Sequence, residues 1–448
     1  MRLQTRRILD RSFTGSGLLA ILLMASALLI LLAPMFARGL GALFFTGTIE
    51  HRRVLLEQFD RGDRERIEAE LRTVREARAP VYTAIAEFEK QLDAGSSADR
   101  RKYAKPLKEL KKALHTLLGP EPEGIRPILP RDQYGQTRWD RAQVKLANVL
   151  YREEWDYSDP RQSGKKVMVP RAKEFAGTPV ESIFPYLQGH LEQMLLPRRT
   201  VYWQFLTDVS LDSHFFGGIG PEVLGTFYLA IGAMLFAVPI GLIAAIYLTE
   251  YAREGRIIGL IRTCISTLAG VPSIVFGLFG LAFFINAAKV SESKSVLAGS
   301  LTLALMILPT VIRAAEEAIL SVPQTYKEAA LSLGAGRWHT VWTIILPAAL
   351  PGILTGIVIS MGRAAGETAP IIFTAAVSIG SPLALWQTLS QPTPALSWNI
   401  FNLCTEHEAV DEIRHVQYGM VFVLVSLVLI LNLAAIVLRA RISKRLRA

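Results

Sequence analysis

Cysteine is almost absent from this chain: Cys264 lies in an apolar segment and Cys404 in a polar loop. Two cysteines so placed are not expected to meet, which excludes a disulfide framework. The seven histidines form no ligand-spaced cluster with cysteine or carboxylates, so no metal site is expected. The G-x-x-x-x-G-K-[ST] phosphate loop is missing, so any ATP hydrolysis must come from another chain. No nucleophile–base constellation and no cofactor motif are present either, and the chain does not read as an enzyme. Charge is missing in a patterned way. Residues 38–215 carry 30 Lys/Arg and 26 Asp/Glu, while several later stretches of twenty or more residues carry none. The net charge of +10 is therefore not the footprint of a nucleic-acid partner. Much of it flanks apolar segments, where a positive-inside bias places it.

An apolar fraction of 51% and a mean hydropathy of +0.31 read as membrane spans rather than as two or three soluble domains. Six segments suffice for a hydrocarbon core that needs roughly 20 residues of helix. They are Leu18–Phe36, Val223–Leu248, Thr263–Ile285, Val296–Leu320, Ala349–Ile379 and Tyr418–Leu438. The basic flanks are Arg2, Arg6, Arg7 and Arg11; Arg253, Arg256 and Arg262; Lys327, Arg337 and His339; and Arg439, Arg441, Lys444, Arg445 and Arg447. With six spans they fall on one side, so both termini are expected in the cytoplasm. The first span is expected to be an uncleaved anchor. Its apolar run exceeds a usual signal core, and Arg38 follows without a clear small-residue cleavage site. The expected organisation is residues 1–37 as tail and first span, 38–215 as an extracytoplasmic insert, 216–440 as the membrane core with the remaining five spans and 441–448 as basic tail.

The insert reads as mostly helical with some strand content. Across residues 48–92, Val54, Leu55, Phe59, Ile67, Leu71 and Val74 recur at helical intervals on a charged background. A second helix is expected over Arg100–Leu118, after the breaker Ala94-Gly95-Ser96-Ser97, and Pro120, Pro122, Pro127 and Pro130 mark a loop. Both a solvated lobe and a contact surface for a partner protein fit this pattern.

Two spans carry charge. Arg313 sits in LTLALMILPTVIRAAEEAIL and Arg363 in GILTGIVISMGRAAGETAPIIF. An ionisable group at membrane depth costs at least about 2.5–3.5 kcal/mol and is a functional candidate. A guanidinium stays charged and its forked donors match two oxygens of a phosphate-like oxyanion. Glu367, four residues after Arg363, is placed to hold that arginine on one helix face. Glu316 and Glu317 follow Arg313 by three and four residues and could act in the same way, or mark the cytoplasmic end of the helix. Arg313, near its helix end, also fits a snorkelling role. Arg363, about 20 Å into its span, also fits a buried packing pair with Glu367. Pro309 and Pro370 each free a backbone carbonyl in their helices. Gly270, Pro272, Ser273, Gly277 and Gly280 form a small-residue stripe suited to helix packing, and Trp386, Trp398 and Tyr418 fit interfacial positions.

Between the fourth and fifth spans lies Glu328–Pro347, EAALSLGAGRWHTVWTIILP. It carries Glu328-Ala329-Ala330, then Gly334 four residues on, then Ile345-Leu346-Pro347. This resembles the EAA loop of bacterial ABC importer permeases. Together with LPTVIRAAEEAI and GRAAGETAPIIFTA, it makes the chain similar to the PstA-type permeases of high-affinity phosphate importers, over roughly residues 215–440.

That resemblance implies an all-α, six-helix MetI-like permease in the bacterial inner membrane. It implies inorganic phosphate as substrate, a second homologous permease of the PstC type, two ATPase subunits and a periplasmic phosphate-binding protein. Arg313, Arg363 and Glu367 would line the substrate pathway, and Glu328, Ala329, Ala330 and Gly334 would dock the ATPase. The insert departs from short family members. Sulfate, molybdate or phosphonate as substrate, and an ATP-independent channel or signalling scaffold, stay open as alternatives.

Overall fold

A computed structural model of the chain describes residues 3–122, 124, 127–156 and 164–447, with backbone alone for residues 3–11, 156, 165 and 443–447. The flanking cations Arg2, Arg6, Arg7, Arg11, Lys444, Arg445 and Arg447 therefore lie outside the described side chains. The chain divides into two compact units, Leu43–Tyr202 and Met1–Ala42 with Trp203–Ala448.

A run without charge from Ser12 to Ala37 can satisfy its backbone in lipid only as a helix, and α1 (Leu3–Leu40) continues through Pro34. Its last turn packs on the final helix. Arg38 Nη1 donates to Tyr418 Oη at 2.8 Å, and Phe36 meets Phe422 edge-on at 5.3 Å.

The unit Leu43–Tyr202 runs β1 (Phe44–Gly47), α2 (Ile49–Phe59), α3 (Arg64–Ala94), α4 (Ser97–Leu118), α5 (Pro130–Gln133), α6 (Trp139–Leu150), β2 (Tyr151–Asp156), β3 (Lys165–Pro170), α7 (Ile183–Leu195) and β4 (Arg198–Val201). Strands β2 and β3 form a hairpin, and β1 pairs antiparallel with β4. The helical pattern of residues 48–92 resolves into two helices. Asp60 and Gly62 take φ of 50° and 114°, which stops α2. Asp63 then caps α3 by accepting the Arg66 amide at 3.2 Å. Val81, Ile85 and Phe88 pack with Leu110, Leu114 and Leu117 and with Leu187, Leu191 and Met194 around Phe175. Buried Arg78 ties three elements. It donates to Glu50 Oε1 at 3.0 Å, to the Leu118 carbonyl at 2.7 Å and twice to the Met194 carbonyl.

The second unit resumes with β5 (Ser210–Leu211), β6 (Phe216–Gly217) and α8 (Gly220–Ile246). Helix α8 ends in a wide turn, Tyr247–Tyr251, closed by the Ala252 amide on the Tyr247 carbonyl at 2.8 Å. Then come α9 (Arg256–Ala269), α10 (Ser273–Gly280), α11 (Val296–Leu320), α12 (Gln324–Ser332), α13 (Arg337–Thr340), α14 (Leu346–Gly366), α15 (Ala369–Thr374), α16 (Leu396–Thr405) and α17 (Arg414–Arg447). Among the described residues, five helices are long and apolar enough to cross a membrane, and a bent pair makes up to six.

Two of the expected spans are corrected. The third is not one helix: α9 and the segment Ser273–Ala287 are bent by 101° around Gly270–Pro272. Proline cannot continue the ladder of α9 and starts α10 instead. The fifth starts at Arg337, because α13 runs through a wide turn, Val341–Ile345, into α14 as one helix Arg337–Gly366. It stops at Gly366 rather than reaching Ile379. Pro370 consequently lies at the start of α15, not inside a long helix.

Small residues set the packing. A Cβ on Gly241 would lie 2.8 Å from Val311, and one on Gly232 would strike Ser300, so α8 and α11 run parallel. Gly352 faces Ala318 and Gly356 faces Ala314, so α11 and α14 run antiparallel. Gly277 lies against the Ala369 carbonyl and Pro370, which seats α10 on α15.

Candidate functional site

Arg313 projects from α11 toward α9. It donates to Ser266 Oγ, and its Nη1 lies 3.8 Å from Glu316 Oε2. Glu316, not Glu317, is the partner. Its carboxylate is buried, and its Oε1 lies 3.7 Å from Arg262 Nε. One carboxylate thus sits between two guanidiniums. Both separations exceed hydrogen-bond length, and among the described residues Glu316 Oε1 and Arg262 Nε lack hydrogen-bond partners.

Arg363 and Glu367 are brought together as expected from their spacing, with Nε 3.3 Å from Oε1. Their placement differs from the expectation, however. Arg363 is in the last turn of α14, and Glu367 is the residue that caps it, with extended backbone (φ −76°, ψ 132°). It stands beside the helix end, not on a continuing helix face. The arginine is therefore near the end of a helix that starts at Arg337, not at its middle. A cation there gains from the helix C-terminus, about 0.3–1 kcal/mol at exposed sites. The break is pinned to α16, since Ser397 Oγ donates to the Glu367 carbonyl at 3.0 Å and Thr368 Oγ1 to the Ser397 carbonyl at 3.3 Å.

The register of α11 on α14 fixes the offset between the arginines. Ala314 faces Gly356, so Arg313 is level with Ile357. Arg363 is six residues further on, about 9 Å along the axis at helical rise. The two cations stand at different levels of the same helix pair.

The connecting segment carries the other candidates. Glu328 and Ala329 are exposed on α12, while Ala330 is buried. Gly334 takes φ of 82°, a conformation that glycine adopts without strain. Tyr326, Leu333 and Trp338 expose large apolar surface around it. Lys327 pairs with Glu250 of the wide turn after α8.

Sequence reading missed Arg262, Ser266, Glu250 and Lys327 as members of this constellation. Arg262 and Lys327 stood out only as flanking cations. Arg262 and Ser266 share a helix face four residues apart, with Ser266 Oγ on the Arg262 carbonyl at 2.9 Å, but their joint target on α11 is non-local. Cys264 and Cys404 are free and exposed. Among the described residues no cluster of three or more potential metal ligands occurs.

The sequence of the unit that holds these residues matches known proteins. The family described as binding-protein-dependent transport system inner membrane component matches residues 237–448. The protein named "Probable ABC transporter permease protein YqgI" of Bacillus subtilis is 36% identical over 255 residues, covering 55% of this chain and 86% of that protein. The phosphate transport system permease protein PstA 1 of Mycobacterium tuberculosis is 35% identical over 249 residues, 56% of this chain and 78% of that protein. PstA of Yersinia pestis is 36% identical over 226 residues, 50% and 73% respectively.

The chain belongs to this permease family. It is a multi-pass inner-membrane subunit of an ABC importer with the MetI-like fold. Such a permease works with an ATPase and a binding protein supplied by other chains. Its family match lies wholly inside the second compact unit.

Proposed function

We propose that this chain is the PstA-type half of the phosphate pathway in an ATP-driven importer, paired with a PstC-like permease. Both termini lie in the cytoplasm, and the unit Leu43–Tyr202 lies outside, where the phosphate-binding protein docks. Helix α12, with Glu328, Ala329, Ala330 and the turn at Gly334, seats on the ATPase. Phosphate passes Arg363 and Arg313 in turn. The observation that carries this reading is the one-sided Arg363–Glu367 pair. The carboxylate takes the Nε edge, and among the described residues Nη1 and Nη2 have no partner. Two parallel donors on a cation fit two oxygens of a tetrahedral oxyanion. The neighbouring carboxylate keeps the site from holding that anion irreversibly. The permease stabilises charge and makes no covalent bond.

The test uses the purified complex in lipid discs with its binding protein. Phosphate-loaded binding protein is expected to stimulate ATP hydrolysis, and Arg363→Gln to abolish phosphate uptake in an assembled complex. Stimulation by a sulfate-loaded binding protein instead would overturn the choice of anion. Failed assembly of Arg363→Gln would make the pair a packing element.

A further inference from the structure

We infer that the wide turn Tyr247–Tyr251 carries nucleotide-driven motion from α12 to Arg313, with Glu250 and Arg262 as positioning residues. This deepens the importer reading and rests on it. Four contacts form the path. Lys327 of α12 pairs with Glu250, whose side chain is 11% exposed. Two residues earlier in the same turn, the Leu248 carbonyl accepts Arg262 Nη2 at 3.1 Å. Arg262 Nε lies 3.7 Å from Glu316, and the other oxygen of that carboxylate lies 3.8 Å from Arg313.

The turn stands in the wider of two registers open to a helix end. In an α-helical ladder the Ala252 amide would bond the Leu248 carbonyl, four residues back. Here it bonds the Tyr247 carbonyl, five back, at 2.8 Å. The Leu248 carbonyl is thereby released to Arg262. A pull on Glu250 that restores the α register returns that carbonyl to Ala252 and detaches Arg262.

The consequence falls on Arg313. With Arg262 on Glu316, the buried carboxylate is shared and Arg313, only partly neutralised, can hold an anion. With Arg262 detached, Glu316 turns wholly to Arg313 and the anion is released. Packing joins the same parts. Ala245, Ile246 and Tyr251 share a core with Val341 and Ile345 of the wide turn before α14, so both ends of the connecting segment bear on one apolar cluster. A discrete element biased from two sides is what coupling between sites requires.

The experiment compares phosphate transported per ATP hydrolysed in the reconstituted complex. Glu250→Gln is expected to lower that ratio about tenfold, within the usual range of coupling between sites. Exchanging the charges, Glu250→Lys with Lys327→Glu, is expected to restore it. Arg262→Gln is expected to raise the KM for phosphate without loss of assembly. An unchanged ratio in Glu250→Gln, or an exchange variant that assembles but stays as low as the single change, overturns the relay. Spin labels on α9 and α12 read the motion without substrate: their distance is expected to change on nucleotide trapping in wild type and not in Glu250→Gln. A Glu250-dependent label response in a complex that phosphate does not stimulate overturns the phosphate reading and leaves the relay standing.

Discussion

His51 shows how a single buried residue sets a pH limit on the unit Leu43–Tyr202. Its ring is 2% exposed and packs edge-on against Phe45 and Tyr202, with centroids 5.1 and 5.6 Å away. Burial, then the charges of Arg138 and Arg52, push it down from 6.5 to about 3. The folded state therefore holds a neutral ring, while the unfolded chain takes up a proton below its ordinary value. Stability from this residue is intact above pH 6.5 and is lost as pH falls toward 3. The slope in that window reaches about 1.4 kcal/mol per pH unit. Hydrogen exchange of α2 in the purified complex between pH 7 and pH 4.5 reads this directly. Wild type is expected to open progressively, and His51→Phe, which keeps an aromatic ring there, to show a flatter dependence. An equal slope in the two proteins would assign the acid sensitivity to other groups.

At the scale of elements, glycine decides how closely α11 and α14 approach. A Cβ on Gly356 would collide with Ala314, so Gly356→Ala must push apart the two helices that carry Arg313 and Arg363. Overpacking of this kind costs about 1–3 kcal/mol. Thermal unfolding in detergent is expected to show that loss, whereas Gly366→Ala, with nothing within 4 Å of the added carbon, serves as a control. An unshifted midpoint in Gly356→Ala would mean the pair yields without cost. This packing was only partly legible in the sequence. Helices α1, α8 and α17 could be read from uncharged runs, and α11 from a long apolar run ahead of Arg313, because a lipid-soluble segment has one way to satisfy its backbone. The Arg363–Glu367 pair was legible because it is local. The end of α14 at Gly366 was not, since apolar character continues through Ala369–Thr374 and the stop depends on Ser397, thirty residues away. The bend at Gly270–Pro272 had its proline in view, but its size is set by the seating of Gly277 and Gly280 on α15 and α11. Arg262 and Glu250 were hidden for the same reason: their partners lie on other helices.

At the scale of the whole molecule, the chain path says how separable the two units are. The unit Leu43–Tyr202 begins and ends on the β1–β4 ladder, with Phe44 opposite Val201 and the Tyr202 amide on the Leu43 carbonyl at 2.8 Å. Paired strands are about 4.7–4.9 Å apart, so the two chain ends at Ala42 and Trp203 emerge within reach of a short Gly/Ser linker. The remaining unit keeps its own attachments, with α1 held on α17 through Arg38–Tyr418 and Phe36–Phe422. Its candidate residues lie wholly outside 43–202, as does the family match over residues 237–448. Replacing residues 43–202 with such a linker is therefore expected to leave a permease that inserts and assembles with its ATPase. Co-purification from membranes and nucleotide hydrolysis by the complex check that half of the expectation. Stimulation by phosphate-loaded binding protein then isolates what the removed unit does. Retained stimulation makes it a solvated lobe, and lost stimulation in an assembled complex makes it the docking surface. Lost assembly would instead make the unit part of the folding of the permease itself, contrary to the self-contained packing of its helices.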